Sequence, residues 1–199
     1  MMLGPDIRIR IRRHFELLRN RVELVAALDD DEQSSVVAEL LDDLAELSPL
    51  VGTSSGEHPR RPSFSVVRPG TDVGVRFAGA PTGDALSALV LAVLHVGGHP
   101  PRVDEVTTER IAALSIPVEL ETWFATSCGS CSDTLHAFGV VGVLNRAMHH
   151  TAINGAAFQD EAAARGVVSV PTVFINGERL TQGRMSVDAA VDALEQFVH

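Results

Sequence analysis

The sequence predicts an α/β protein in which one folding unit is used twice in tandem. Three observations carry that expectation. The only cysteines, Cys128 and Cys131, are separated by two residues where a strand-like run turns into a helical pattern. Val22-Glu23-Leu24 before Asp29-Asp30-Asp31 parallels Val118-Glu119-Leu120 before the cysteines. Pro62-Ser63-Phe64-Ser65-Val66 likewise parallels Pro171-Thr172-Val173-Phe174-Ile175, each followed by a hairpin turn and a helix. A chain of 199 residues has room for two units of about 100 residues. The units are expected at residues 1–101 and 102–199, divided at Gly97-Gly98-His99-Pro100-Pro101, a run that cannot continue a helix.

In the first half, Pro5 to Asn20 reads as a helix with Arg8, Arg10, Arg12 and Arg13 on a solvated face, although its alternating start also fits a short strand. Val22 to Leu28 is strand-like. Asp29-Asp30-Asp31 then supplies an N-cap and first-turn charge for a helix from Glu32 to Leu47, with Val36, Val37, Leu40, Leu41, Leu44 and Leu47 at helical spacing. Val51 to Pro62 is rich in Gly, Ser and Pro and reads as a loop with room for a short strand at its start. Strands Ser63 to Val67 and Gly74 to Phe77 flank Pro69-Gly70-Thr71-Asp72, and a strongly apolar helix covers Asp84 to Leu94.

The second half follows the same plan. Helix Glu105 to Leu114 leads to the strand ending at Phe124, then to the cysteines and a helix through Leu144. A strand over Ala147 to Ala152 and a helix over Ala157 to Arg165 come next. Strands Thr172 to Ile175 and Glu178 to Leu180 flank the hairpin turn Asn176-Gly177, and Val187 to Val198 closes as a helix.

Composition removes several function classes. A net charge of −10 argues against binding nucleic acid or an anionic membrane, both of which need clustered cations. The chain has no lysine, so it has neither a P-loop nor a Schiff-base nucleophile, and no G-x-G-x-x-G motif is present to hold a dinucleotide. Two close cysteines cannot staple distant elements of a secreted scaffold. Charge interrupts the apolar residues of Ile7 to Arg13, so no secretory signal is read there, and no run is apolar enough to span a bilayer. A cytoplasmic protein is expected.

A C-x-x-C at a strand-to-helix junction beside a βαβ pattern is a thioredoxin-like redox motif. The fold class expected is therefore α/β, two tandem fused thioredoxin-like folds with the dithiol only in the second. The first has Glu32 and Ser35 near the place the cysteines occupy. At a helix start, free backbone N–H groups and the helix dipole stabilise a thiolate on Cys128, while Cys131, one turn in, is buried and positioned to resolve a mixed disulfide. Pro171 lies where such folds hold a cis proline opposite the dithiol, which leaves the Val170 backbone free to pair with an extended substrate. Val170, Pro171 and Ser127 are the expected substrate-binding residues. A zinc site is not expected, since His149 and His150 are adjacent on a strand and point to opposite faces. His136, Trp123 and Phe124 read as packing residues, with Trp123 a candidate fluorescence reporter of redox state, and Asp160 and Glu161 read as a solvated first helical turn.

Beyond the C-x-x-C, Glu121-Thr122, Cys128 through Asp133, His150 to Gly155, Phe158 to Glu161, Gly166 to Val168, Val170 to Gly177 and Gln182 to Met185 resemble the N-terminal domain of bacterial alkyl hydroperoxide reductase flavoprotein subunits. Val22 to Leu24, Leu28 to Asp30, Arg61 to Phe64, Arg76 to Gly79 and Gly97 to Pro100 extend the resemblance through the first half. The resemblance implies a pair of fused thioredoxin folds that passes electrons from a flavoprotein reductase to the disulfide of a peroxiredoxin. It implies no bound cofactor other than the redox-active disulfide, with FAD and NADH on a separate partner. Two departures stand out: Ala85 replaces an acidic residue, leaving the tuning of Cys128 to Asp84 or another group, and Ser132 replaces a proline. A non-catalytic scaffold and a disulfide oxidase or isomerase are the competing functions.

Overall fold

In the computed structural model, which describes residues 2–198, α1 (Pro5–Phe15), β1 (Val22–Ala27), α2 (Glu32–Ala45), β2 (Val51–Ser55), β3 (Ser63–Val67), β4 (Gly74–Ala78) and α3 (Leu86–Val96) form the first half, with a single 3-10 turn at Gly83–Ala85. The second half repeats the order as α4 (Glu105–Ala113), β5 (Val118–Phe124), α5 (Gly129–Leu144), β6 (Met148–Asn154), a short α6 (Gln159–Ala164), β7 (Thr172–Ile175), β8 (Glu178–Gln182) and α7 (Val187–Val198).

All the strands join one sheet, in the order β2-β1-β3-β4-β6-β5-β7-β8. In each half the first two strands are parallel and the next two follow antiparallel, which is a thioredoxin-like sheet twice over. The seam is the parallel pairing of β4 with β6, Arg76 to Ala78 beside Thr151 to Ile153. Both halves also carry a cis proline at the start of their third strand, at Arg61–Pro62 and Val170–Pro171.

Helix α1 stops at Phe15 rather than running on to Asn20, because Leu18 turns inward and the Arg19 and Asn20 amides donate to the Gly97 carbonyl, each at 2.9 Å. Arg8 is not solvated: it is half-buried and paired with Asp43 and with Glu46, the latter at 2.7 Å. Asp31 caps α2 by accepting from the Ser34 amide at 2.7 Å. The polar run Val51–Ser55 is a full edge strand, paired parallel to β1 and anchored in the core by Val51 alone of its side chains.

Packing fuses the halves. The core around α1, α2 and α3 takes in Phe124, Cys131, Leu135 and Ala152 from the second half. Helix α3, apolar on nearly every side, lies against α5, with Leu89 and Val93 wholly inaccessible; burying each is worth about 2 kcal/mol. On the other face of the sheet, Arg60 Nη2 donates to Glu121 and Glu161, both at 2.5 Å, and Arg165 pairs with Glu121 at 2.7 Å. Glu161 is thus not a solvated helix-start charge. It ties the loop before β3 to the second half.

Candidate redox site

Strand β5 ends in the fully buried pair Trp123 and Phe124, so the chain emerges from the sheet centre at Ala125. The Cys128 amide donates to the Ala125 carbonyl at 3.2 Å and the Cys131 amide to the Cys128 carbonyl at 3.0 Å, which opens α5 with Cys128 as its N-cap. No side chain caps this helix end and its first turn holds no acidic residue. The orphan N–H groups and positive dipole end are left facing the Cys128 sulfur, conditions that favour a thiolate.

The two cysteines form a disulfide, with Cα atoms 5.3 Å apart. Cys128 is half-buried, whereas Cys131 is completely inaccessible within the core. The Cys128 Sγ lies 3.7 Å from the Val170 carbonyl oxygen and 3.5 Å from the Ser130 hydroxyl. Val170 precedes the cis Pro171, which is itself buried with its carbonyl accepting from the Gly183 amide at 2.8 Å. The Val170 carbonyl therefore stands beside the Cys128 sulfur, one residue before the cis proline. Ser127 is exposed on the rim, its hydroxyl without a hydrogen-bond partner among the described residues.

The first half reaches this site through residues with no local sequence signal for it. The Asp84 amide donates to the Thr126 carbonyl at 2.9 Å. Gly83, at φ +59°, passes so near that a Cβ there would lie 2.4 Å from the Thr126 oxygen, a place only glycine fills without displacement. The Ser87 and Ser132 hydroxyls are 2.6 Å apart, linking the first turns of α3 and α5 across 45 residues of sequence. Ala85 is wholly buried, but Asp84 reaches the dithiol helix: its Oδ2 is 3.9 Å from where a Cβ on Gly129 would stand. A carboxylate there opposes the helix dipole and raises the pKa of a nearby thiol. The capping register also pairs Cys128 and Cys131 with Asp31 and the buried Ser34, one residue earlier than Glu32 and Ser35.

Among the described residues, the other residues singled out in the sequence make no hydrogen bond to either sulfur. His95 Nδ1 is 3.0 Å from the His99 carbonyl, so that nitrogen carries the proton, and His95 Nε2 accepts from His136 Nε2 at 3.4 Å. His150 is buried with Nε2 3.0 Å from the Thr122 hydroxyl, and His149 is exposed on the opposite face. Burial lowers the pKa of His95 and His136, and pushes His150 down to about 3. Trp123 packs with Ala78, Ile153 and Phe174. Among the described residues, no three His, Cys, Asp or Glu side chains converge to hold a metal ion.

No protein-family model matches the sequence. Over 188 residues the chain is 41% identical to the AhpF component of alkyl hydroperoxide reductase from Pseudomonas aeruginosa, an alignment covering 94% of this chain and 36% of that protein. The chain spans little more than a third of the length of the curated relatives it matches, 36–38% for the first three. The NTD_N/C domain of alkylhydroperoxide reductase AhpF from Enterococcus faecalis shares the fold, with a TM-score of 0.89 at 22% identity over 96% of this chain and 99% of that one. A protein disulfide oxidoreductase from Aeropyrum pernix does too, with a TM-score of 0.85 at 22% identity over 100% of this chain and 94% of that one. In sequence the chain is thus similar to about a third of the length of alkyl hydroperoxide reductase F subunits, and in fold it is like the N-terminal domain of AhpF, two fused thioredoxin-like folds in one sheet.

Proposed function

We propose that the chain is a thiol–disulfide oxidoreductase whose Cys128/Cys131 pair carries electrons from a flavoprotein reductase to the disulfide of a peroxiredoxin. The observation that carries this reading is the placement of the half-buried Cys128 sulfur at the uncapped start of α5, 3.7 Å from the Val170 carbonyl, with Cys131 sealed behind it.

In the reduced protein the Cys128 thiolate attacks one sulfur of the substrate disulfide. A Cys128–substrate disulfide forms, and the departing substrate thiolate takes up a proton. Cys131 then loses its proton and attacks the Cys128 sulfur, releasing the second substrate thiol and closing the Cys128–Cys131 disulfide. Two electrons and two protons have passed to the substrate. The backbone of Val170, held by the buried Pro171, orients the incoming chain by main-chain pairing, and Ser127 forms the rim it crosses.

A dithiol on a flavoprotein partner, which carries the FAD and the NADH site, restores the pair by the reverse exchange. This chain binds no cofactor of its own, and residues 1–101 form a dithiol-free fold that serves as platform for residues 102–199. The setting is the cytoplasm, where disulfides are transient and catalytic; no helix among the described residues is long and apolar enough to cross a membrane. The Cys128→Ser variant is the test. It is expected to abolish reduction of insulin and of dithionitrobenzoate; turnover retained in the variant would show that Cys128 does not carry the reaction, and no turnover in the wild type would leave the protein a scaffold.

A further inference from the structure

Helices α1 and α3 leave a groove of about 410 Å³ between them. Ile7, Arg10, Ile11 and His14 form one stripe of α1 at helical spacing, and Leu86, Val90 and Leu91 form the facing stripe of α3. The floor is mainly apolar. Its α1 rim is basic: Arg10 is exposed and has no carboxylate partner among the described residues, the neighbouring Arg12 and Arg13 are in the same condition, and the exposed His14 stands one turn from Arg10. Unpaired cations are conspicuous in a chain of net charge −10, and Arg8, which does find carboxylates, points elsewhere.

The groove runs to the redox site. Gly83 and Ser87 line it, and these residues touch Thr126 and Ser132 beside the disulfide. The C-terminal ends of the two helices meet at Gly97, so the opposite end of the groove, at Ile7 and Gly83, is the one nearest Cys128.

We propose that this groove docks a short apolar segment bearing carboxylates, carried by the protein that presents its disulfide to Cys128. The first half then serves as the specificity element for a dithiol it does not contain. The proposal rests on the oxidoreductase reading, since it assigns the surface by which that reaction selects a protein substrate. Apolar side chains fill the floor, carboxylates meet Arg10 and His14, and the bound segment leads toward the sulfurs.

The test has two arms. In the first, a labelled amphipathic peptide with leucines at i, i+3, i+4 and i+7 and glutamates between them is titrated into the oxidised chain by fluorescence anisotropy. Binding that weakens with salt is expected, and Arg10→Glu/His14→Glu should weaken it about tenfold at low salt. Leu91→Gln should weaken it without changing the salt dependence. In the second arm, Arg10→Glu/His14→Glu should raise KM for an oxidised peroxiredoxin of the same host about tenfold, with kcat and dithionitrobenzoate reduction unchanged.

Unchanged peptide affinity and KM in that variant would overturn the proposal. So would loss of dithionitrobenzoate reduction, which would make the groove a support for the dithiol, or preferential binding of anionic vesicles or of a second copy of the chain to this face. If the wild-type chain reduces no protein disulfide yet binds the peptide in the variant-sensitive way, the oxidoreductase reading fails and the groove stands.

Discussion

Ser87 and Ser132 face each other at 2.6 Å, one on the first turn of α3 and the other on the first turn of the dithiol helix. Through this contact and the Gly83–Thr126 approach, the half without cysteines fixes the position of the half that has them. Ser87→Ala is expected to cost only about 0.5–1 kcal/mol, because both hydroxyls are near water. Gly83→Ala should cost on the order of 2–3 kcal/mol, since the methyl group meets a backbone oxygen at a positive φ. Urea denaturation of the two variants reads the difference; equal small effects would mean that the Thr126 loop yields freely.

Asp84 places a carboxylate beside the start of α5. Asp84→Asn removes a charge that disfavours the thiolate, so alkylation of Cys128 in the reduced protein should speed up at a given pH. The pH dependence of iodoacetamide alkylation measures it. An upward shift of that dependence would show that the carboxylate does not disfavour the thiolate there, and would overturn this reading of Asp84.

Stability should fall in acid in two stages. His95, His136 and His150 have folded-state pKa values below the usual imidazole value, with burial the leading cause. The folded protein keeps them neutral while the unfolded chain takes up their protons below about pH 6.5. Stability is therefore full above that pH and declines as pH falls toward the folded values, at up to about 4 kcal/mol per pH unit for three protons. Asp31, Asp43 and Asp104 also have lowered values, from backbone amides and, for Asp43, Arg8 acting against burial. Their contribution is lost only below about pH 4. Urea midpoints between pH 4.5 and 7.5 check the first stage, and a flat profile there would contradict it.

Arg60 bridges Glu121 and Glu161 across the seam of the sheet. Arg60→Ala leaves two partly buried carboxylates with only Arg165 to answer them, and should destabilise the chain by about 2 kcal/mol. Thermal unfolding at moderate salt reads this; a loss under half that size would assign the network to the solvent-screened class.

Much of this architecture was legible from local pattern. The strand-to-helix junction at Cys128, the Asn176-Gly177 hairpin and the prolines before β3 and β7 are short-range signals, and each appears where it was expected. What escaped depends on distant partners. The turn at Leu18 answers Gly97, the pairing of Arg8 answers Asp43, and the seam of β4 with β6 joins strands whose periodicity says nothing about neighbours in the other half. The edge strand Val51–Ser55 falls where the sequence left room for a short strand, its full length masked by composition because an edge needs backbone pairing on one side and few apolar side chains. Gly83, Asp84 and Ser87 carry no motif, and only the folded chain brings them to the cysteines.

The central claim is that Cys128 attacks and Cys131 resolves, and the most direct test is to trap the intermediate. Cys131→Ser, incubated with an oxidised protein substrate and analysed by non-reducing mass spectrometry, should accumulate a mixed disulfide through Cys128, while Cys128→Ser should accumulate none. Equal adducts through Cys131 in the Cys128→Ser variant, or none in either, would contradict the account.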